Sequence, residues 1–285
     1  MTLRQLCNDA STRLAGHFGL GEAKWMVRIM MENLKGYSLA DLAIKADCEV
    51  SGWLIGKVDD VVGRLLEDEP IQYIFSEARF YGLRIKVTPA TLIPRPETEE
   101  LVGMIINDWA TESDLRVLDA CTGSGCIALA LARNLPFSKV EAFDFSSDAL
   151  EVAEENNRTL RTAVDFCRKD ALHLEQPSEP LYDIIVSNPP YIALREKESM
   201  EPNVLLHEPA LALFVPDSDP LVFYHAIAGY AMAALKPGGR IYFELNPIYA
   251  DSLRRDMQHA GWDDVTVSLD IERKKRFMSA TKPDR

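Results

Sequence analysis

Apolar residues at Leu3, Leu6, Ala10, Leu14 and Phe18 recur at helical spacing and predict a first helix, which Gly19-Leu20-Gly21 breaks. A second helix is expected from about Glu22 to Leu34, with Met26, Met30 and Leu34 in one row and Trp25 and Ile29 beside it. Ser38 as N-cap and Asp41 as capping-box acid mark a short third helix. A longer helix is expected over 51–66, with Trp53, Leu54, Val58, Val61, Val62, Leu65 and Leu66 inward; Glu67-Asp68-Glu69-Pro70 ends it. The Met and aromatic stripes of this region read as core rather than as a cofactor pocket. The period then changes. Residues 80–87 alternate like a strand, and Thr91-Leu92-Ile93 is expected to pair with them in a hairpin. Pro94-Arg95-Pro96-Glu97 opens a helix that runs through Trp109, with Pro96 in its first turn.

From Arg116 onward strands and helices alternate. Strands are expected at 116–120, 140–145, 165–168, 182–187, 240–245, 265–269 and 276–281, and helices at 126–134, 148–160, 220–235 and 250–260. Ile184-Ile185-Val186 is a continuous apolar run, as a parallel sheet covered on both faces requires. The chain therefore divides into a helical domain (1–75), a β-hairpin linker (76–98) and an α/β domain (99–285).

Composition narrows the setting. Hydrophobic residues make up 47% and charged residues 26% of 285, ordinary for a globular chain. No apolar run approaches the length of a membrane span, and the N-terminus has no signal-peptide pattern, so a cytoplasmic protein without a membrane partner is expected. Five scattered cysteines and five isolated histidines offer no metal-ligand spacing, and no metal site is expected. A net charge of −13 is a poor footprint for a nucleic-acid partner and suits a basic protein partner.

Two loops carry chemistry. Gly123-Ser124-Gly125-Cys126-Ile127-Ala128 follows a strand, opens a helix and matches G-x-G-x-x-G/A. Asp144, 21 residues after Gly123 at the end of the next strand, can accept both ribose hydroxyls of an adenosine. This set by itself fits a nicotinamide cofactor or S-adenosylmethionine. Asp170 is either a contact for the adenine amino group, with Ala171 lining that pocket, or a plain strand-end turn residue.

The second loop, Asn188-Pro189-Pro190-Tyr191, follows the buried fourth strand. Two prolines fix two φ angles and remove two N–H donors. The Asn188 side-chain oxygen and the Pro189 carbonyl can each accept a hydrogen of an NH₂ group, and Tyr191 can stack on its plane. Methyl transfer to an amide or amine nitrogen requires this orientation. Hydride transfer has no use for it, which favours S-adenosylmethionine as cofactor.

These motifs resemble the class I methyltransferases with a (D/N)PPY loop. The chain is more closely similar to the HemK-type methyltransferases of peptide chain release factors. That similarity rests on Ile93-Pro94-Arg95-Pro96-Glu97-Thr98-Glu99, the strand pair from Phe80, Asn188-Pro189-Pro190-Tyr191-Ile192, and His207-Glu208-Pro209-Ala210-Leu211-Ala212-Leu213. The resemblance implies a Rossmann-like, mostly parallel seven-stranded sheet with a small all-helical N-terminal domain that contacts the release factor. It implies N5-methylation of the Gly-Gly-Gln glutamine by S-adenosyl-L-methionine. Cys121, Thr122, Gly123, Ser124, Gly125, Asp144, Asp170, Ala171 and Asn188 would hold the cofactor. Asn188, Pro189, Pro190 and Tyr191 would hold the glutamine, with Asn188, Pro189 and Tyr191 as the catalytic set. The chain departs from the family at Cys121, usually glycine, at Ala171, aromatic in some members, and at Pro220 after Asp219, where glycine is common. The same loop could serve an exocyclic amine of a nucleic-acid base; the acidic charge and the 93–99 segment argue against that. A binding module without catalysis is the remaining alternative, against which the intact Asn188 and 123–125 loop argue.

Overall fold

A computed structural model describes residues 1–284. Five helices come first: α1 (Leu3–Phe18), α2 (Leu20–Lys35), α3 (Leu39–Ile44), α4 (Gly52–Leu66) and α5 (Ile71–Phe75). A hairpin of β1 (Glu77–Phe80) and β2 (Leu83–Lys86) precedes α6 (Pro96–Asp108). Then follow β3 (Arg116–Ala120), α7 (Cys126–Asn134), β4 (Lys139–Asp144), α8 (Ser147–Leu160), β5 (Val164–Arg168) and β6 (Tyr182–Ser187). Short elements come next: β7 (Ile192–Ala193), a 3₁₀ turn (Leu194–Ser199), α9 (Pro202–His207), α10 (Ala210–Leu213) and β8 (Phe214–Val215). The chain closes with α11 (Val222–Ala234), β9 (Leu235–Glu244), α12 (Ala250–His259), β10 (Asp263–Leu269) and β11 (Lys275–Thr281).

Two compact units emerge. One comprises Met1–Ser76 together with Glu201–His207. Its helices bury Leu3, Leu6, Ala10 and Leu14 of α1 against Met26 and Met30 of α2 and Leu54, Val58, Val61, Val62 and Leu65 of α4. Each of the buried Leu, Val and Met side chains is worth about 1.5–3 kcal/mol. Thr2 caps α1 and Ser38 caps α3, each in a reciprocal capping box with the side chain three residues on, Gln5 and Asp41. Two expectations are corrected, and one element is added. The second helix begins at Leu20, because Gly19 alone, at φ 80°, makes the break. Trp53 and Leu66 face solvent: one residue away from Leu54 and Leu65, each is turned off the buried stripe. Ile71–Phe75, unassigned from the sequence, forms a fifth short helix.

The second unit comprises Glu77–Met200 and the chain from Glu208 onward. Its seven-stranded sheet has the order β10-β11-β9-β6-β3-β4-β5. All neighbours are parallel except at β11, which runs antiparallel to both β9 and β10. Strand order reverses at β3, with β4 on one side and β6 on the other. In such sheets ligands bind outside the carboxyl ends of the strands at that reversal. The hairpin pairs β1 with β2 around Tyr81-Gly82, and Thr91–Ile93 is not a strand, contrary to expectation. There the backbone turns: the Thr88 carbonyl accepts from the Thr91 amide, and the Ile93 N–H donates to the Glu208 carboxylate. Pro96 opens α6 at its first position, where its missing N–H has no intrahelical partner to lose. No helix among the described residues is long and apolar enough to cross a membrane.

Candidate active site

The strand register sets the two chemical loops side by side. Ala120 pairs with Ser187 at the ends of β3 and β6, and the Ser187 hydroxyl donates to the Ala120 carbonyl at 2.6 Å. The chain leaves these two residues as the 121–125 loop and the Asn188-Pro189-Pro190-Tyr191 loop.

The first loop coils through left-handed residues: Cys121 at φ 63°, Gly123 at 55° and Gly125 at 81°. Gly125 is doubly required, since a Cβ there would also meet Ala153, Leu129 and Phe166 atoms at 3.2 Å. Cys121 occupies the left-handed region without glycine's freedom, a strained state that the surrounding contacts must hold. Burial pushes its thiol well above the usual range, so it is neutral. Asp144 pins the loop from the end of β4, accepting the Gly123 N–H at 2.8 Å through one oxygen and the Ser146 N–H at 2.9 Å through the other. Burial raises its pKa, and those amides partly offset the rise. A carboxylate has about four acceptor positions, so Asp144 retains capacity for hydroxyl donors. Asp170 accepts from the Leu172 N–H and bonds the His173 ring, which lowers its pKa with the His173 contact as the larger cause. It is thus a turn residue by geometry and also borders the cavity.

Asn156, buried in α8, joins this loop to the hairpin. Its Nδ2 donates to the Ser124 carbonyl and the Lys86 carbonyl, both at 3.0 Å, and its Oδ1 accepts the Lys86 N–H at 2.7 Å.

A cavity of about 530 Å³ lies at these strand ends, within the range of small-ligand sites. Cys121, Thr122, Gly123, Ser124, Asp144, Asp170, Ala171, Asn188 and Pro190 line it, together with Phe145 and Leu172. Gly125, Pro189 and Tyr191 lie outside the lining. Pro94, Arg95 and Thr98 line it from one side, and Pro209, Leu211 and Ala212 from another. The buried Glu208 carboxylate ties these two segments, accepting from Arg95 Nη2 at 2.5 Å and the Ile93 N–H at 3.2 Å. The acidic and basic residues of the lining are Asp144, Asp148 and Asp170 against Arg95, which already faces Glu208. Such a set suits a cationic ligand and repels a pyrophosphate, so the residues fit S-adenosylmethionine better than a dinucleotide.

The second loop is held by side chains that carried no role in the sequence analysis. Asn188 Nδ2 donates to Thr98 Oγ1 at 3.3 Å; Thr98 donates to Glu244 Oε2 at 2.6 Å; Tyr191 OH donates to Glu244 Oε1 at 3.1 Å. Asn246 Nδ2 donates to the Tyr191 carbonyl at 3.1 Å. The Tyr191 ring packs beside the core around β9, and burial together with the Glu244 charge pushes its phenol pKa upward. Burial likewise raises the Glu244 pKa, opposed by the hydrogen bonds from Thr98 and Tyr191 and by the Arg276 charge. The available signal for Glu244 was a carboxylate ending the apolar run Ile241-Tyr242-Phe243. Thr98 lay inside the 93–99 segment.

Residues 101–213 match the methyltransferase small domain family, and residues 5–75 match the PrmC N-terminal domain family. The release factor glutamine methyltransferase of Bacteroides thetaiotaomicron is 42% identical over 261 residues, 92% of this chain and 93% of that protein. The Deinococcus radiodurans protein of the same name is 31% identical over 283 residues, 99% of each. Among solved structures, a methyltransferase from Pyrococcus furiosus shares the fold at a TM-score of 0.55 and 16% identity, covering 79% of this chain and 99% of that one.

Proposed function

The chain belongs to the release factor glutamine methyltransferases, and from that premise we propose that it methylates N5 of the glutamine in the Gly-Gly-Gln motif of a peptide chain release factor. It is an S-adenosylmethionine-dependent enzyme with a helical module ahead of its methyltransferase sheet. The observation that carries the substrate reading is Asn188. Its NH₂ is engaged by Thr98, which leaves Oδ1 as an acceptor at the cavity wall.

When bound, S-adenosylmethionine would supply a methyl group on a sulfonium whose S–C bond breaks to leave a neutral thioether. The 121–125 loop, Asp144 and the 170–171 turn are the groups that would hold it, the Asp144 carboxylate taking hydroxyl donors. Asn188 Oδ1 accepts one hydrogen of the glutamine NH₂. The carbonyl of Pro189, bonded to the lining residue Pro190, accepts the other. The amide nitrogen is a weak nucleophile because its lone pair is delocalised, so orientation and proximity supply most of the acceleration. As the new N–C bond forms, the positive charge passes from sulfur to the nitrogen, which becomes acidic and releases one proton to solvent, so no strong base is required. Cys121 stays protonated and takes no part.

An exocyclic amine of a nucleic-acid base would present the same two hydrogens. The match of 5–75 to the helical module and the whole-chain similarity to glutamine methyltransferases support the protein substrate. The test is mass spectrometry of a release factor incubated with enzyme and S-adenosylmethionine. One added methyl on the Gly-Gly-Gln glutamine is expected; an unmodified release factor alongside a methylated RNA or DNA would transfer the assignment to the base amine.

A further inference from the structure

Each end of the Asn188-Pro189-Pro190-Tyr191 loop leads to one buried carboxylate. Ser187 pairs with Phe243 across β6 and β9, so Asn188, the first residue past β6, and Glu244, the last residue of β9, stand at the same level. Glu244 is 1% exposed. Its Oε2 accepts the Thr98 hydroxyl at 2.6 Å, and its Oε1 accepts the Tyr191 hydroxyl at 3.1 Å. The first distance lies in the range of a charge-assisted O–H···O⁻ bond.

The proton inventory then decides how Asn188 points. A threonine hydroxyl has one hydrogen and two lone pairs. Thr98 gives its hydrogen to Glu244, so it meets Asn188 as an acceptor only. Asn188 must turn its NH₂ toward Thr98, as the 3.3 Å Nδ2 contact shows. The carboxamide oxygen is left for the cavity. With the amide reversed, two oxygens lacking a shared hydrogen would face each other at Thr98, and an NH₂ would face the substrate NH₂.

We propose that Thr98 and Glu244 are positioning residues for the transfer: they lock the Asn188 carboxamide with its oxygen toward the substrate, so that the loop accepts hydrogens from an NH₂ group. Glu244 sets the Thr98 hydroxyl, Thr98 sets Asn188, and the same carboxylate fixes the Tyr191 end. This rests on the proposed reaction at Asn188, since the orientation matters only where the loop meets an NH₂ donor.

The test uses the full chain with release factor and S-adenosylmethionine. Thr98→Val keeps the shape and removes the hydroxyl; Thr98→Ser keeps the hydroxyl. Thr98→Val is expected to lower kcat by about 10- to 100-fold with KM for release factor and cofactor affinity unchanged, and Thr98→Ser to restore kcat. Glu244→Gln is expected to lower kcat similarly, and the double variant with Thr98→Val to lose clearly less than the product of the two single losses, because the Thr98–Glu244 contact is common to both. Unchanged kcat in Thr98→Val, failure of Thr98→Ser to restore it, or multiplying losses in the double variant would each overturn the proposal. A second readout holds independently of turnover: in ¹⁵N-asparagine-labelled protein, a side-chain proton of Asn188 should exchange slowly in wild type and Thr98→Ser and fast in Thr98→Val. Equal exchange in all three also overturns it. A wild-type protein that shows this slow proton but leaves glutamine unmethylated would fail the functional reading alone.

Discussion

Asp119, the penultimate residue of β3, lies beneath the glycine loop with no exposed surface. Its Oδ2 accepts from the Thr122 hydroxyl at 2.5 Å and the Ala128 N–H at 3.1 Å, while Oδ1 has no partner among the described residues. Burial pushes its pKa up to about 7. An unfolded aspartate loses its proton near pH 4. Between about pH 4 and about pH 7 the folded chain therefore binds a proton that the unfolded chain has released, and stability falls as pH rises through that window. Asp119→Asn cannot titrate, and its oxygen can still accept both hydrogen bonds. Urea midpoints of cofactor-free protein should fall between pH 5 and pH 8 in wild type, and fall less in Asp119→Asn; parallel changes would remove Asp119 as the cause. At Asn188 the expectation concerns rate. Asn188→Ala should lose roughly 100-fold or more in turnover, while calorimetry finds cofactor binding largely intact. Unchanged turnover would exclude this residue as the amide acceptor.

Among the elements, the segment at 93–95 is held by a single side chain. Glu208 bonds both Arg95 and the Ile93 N–H, and Pro94, Arg95, Pro209 and Leu211 all line the cavity. Glu208→Ala would leave a buried N–H and a partly buried guanidinium without their acceptor, at a cost of about 1–3 kcal/mol. Cofactor affinity should fall with the loss of that wall. Urea unfolding and calorimetry on the same variant check both, and full retention of affinity would make the contact purely structural. Elements of this kind divide by how local their determinants are. β3, α7 and β6 were legible because apolar runs, a glycine pair and a proline pair each lie within a few residues. Thr91–Ile93 misled because its apolar residues suit a strand, while its backbone bonds go to a turn and to a carboxylate 115 positions away. Thr98 and Glu244 stand 146 positions apart. Their contact depends on the register of β9 against β6, which no pattern along the chain specifies. Trp53 misled for a simpler reason: a broad apolar stripe does not mark where its edge turns to solvent.

The whole molecule joins a sheet-based unit that carries the entire cavity lining to a helical unit that carries none of it. Chemistry and substrate choice should therefore separate experimentally. Removing residues 1–75 is expected to lower kcat/KM on intact release factor more than on a short Gly-Gly-Gln peptide. Equal losses on both would assign the helical unit a structural role only. The net charge of −13 favours encounter with a basic partner surface, and such attraction weakens within the short Debye length of physiological salt.

Asn156 holds the backbone of Lys86 and the carbonyl of Ser124 with one side chain. Lys86 is not part of the cavity lining, yet its amide hydrogen reports on the loop that is. Opening the hairpin there frees one end of the side chain that also holds the glycine loop, so exchange at Lys86 is expected to rise and fall with opening of that loop. S-Adenosylmethionine that favours the closed loop is then expected to slow deuterium uptake at Lys86, a remote clock for an encounter it never touches; uptake unchanged by the cofactor would show the two segments open independently.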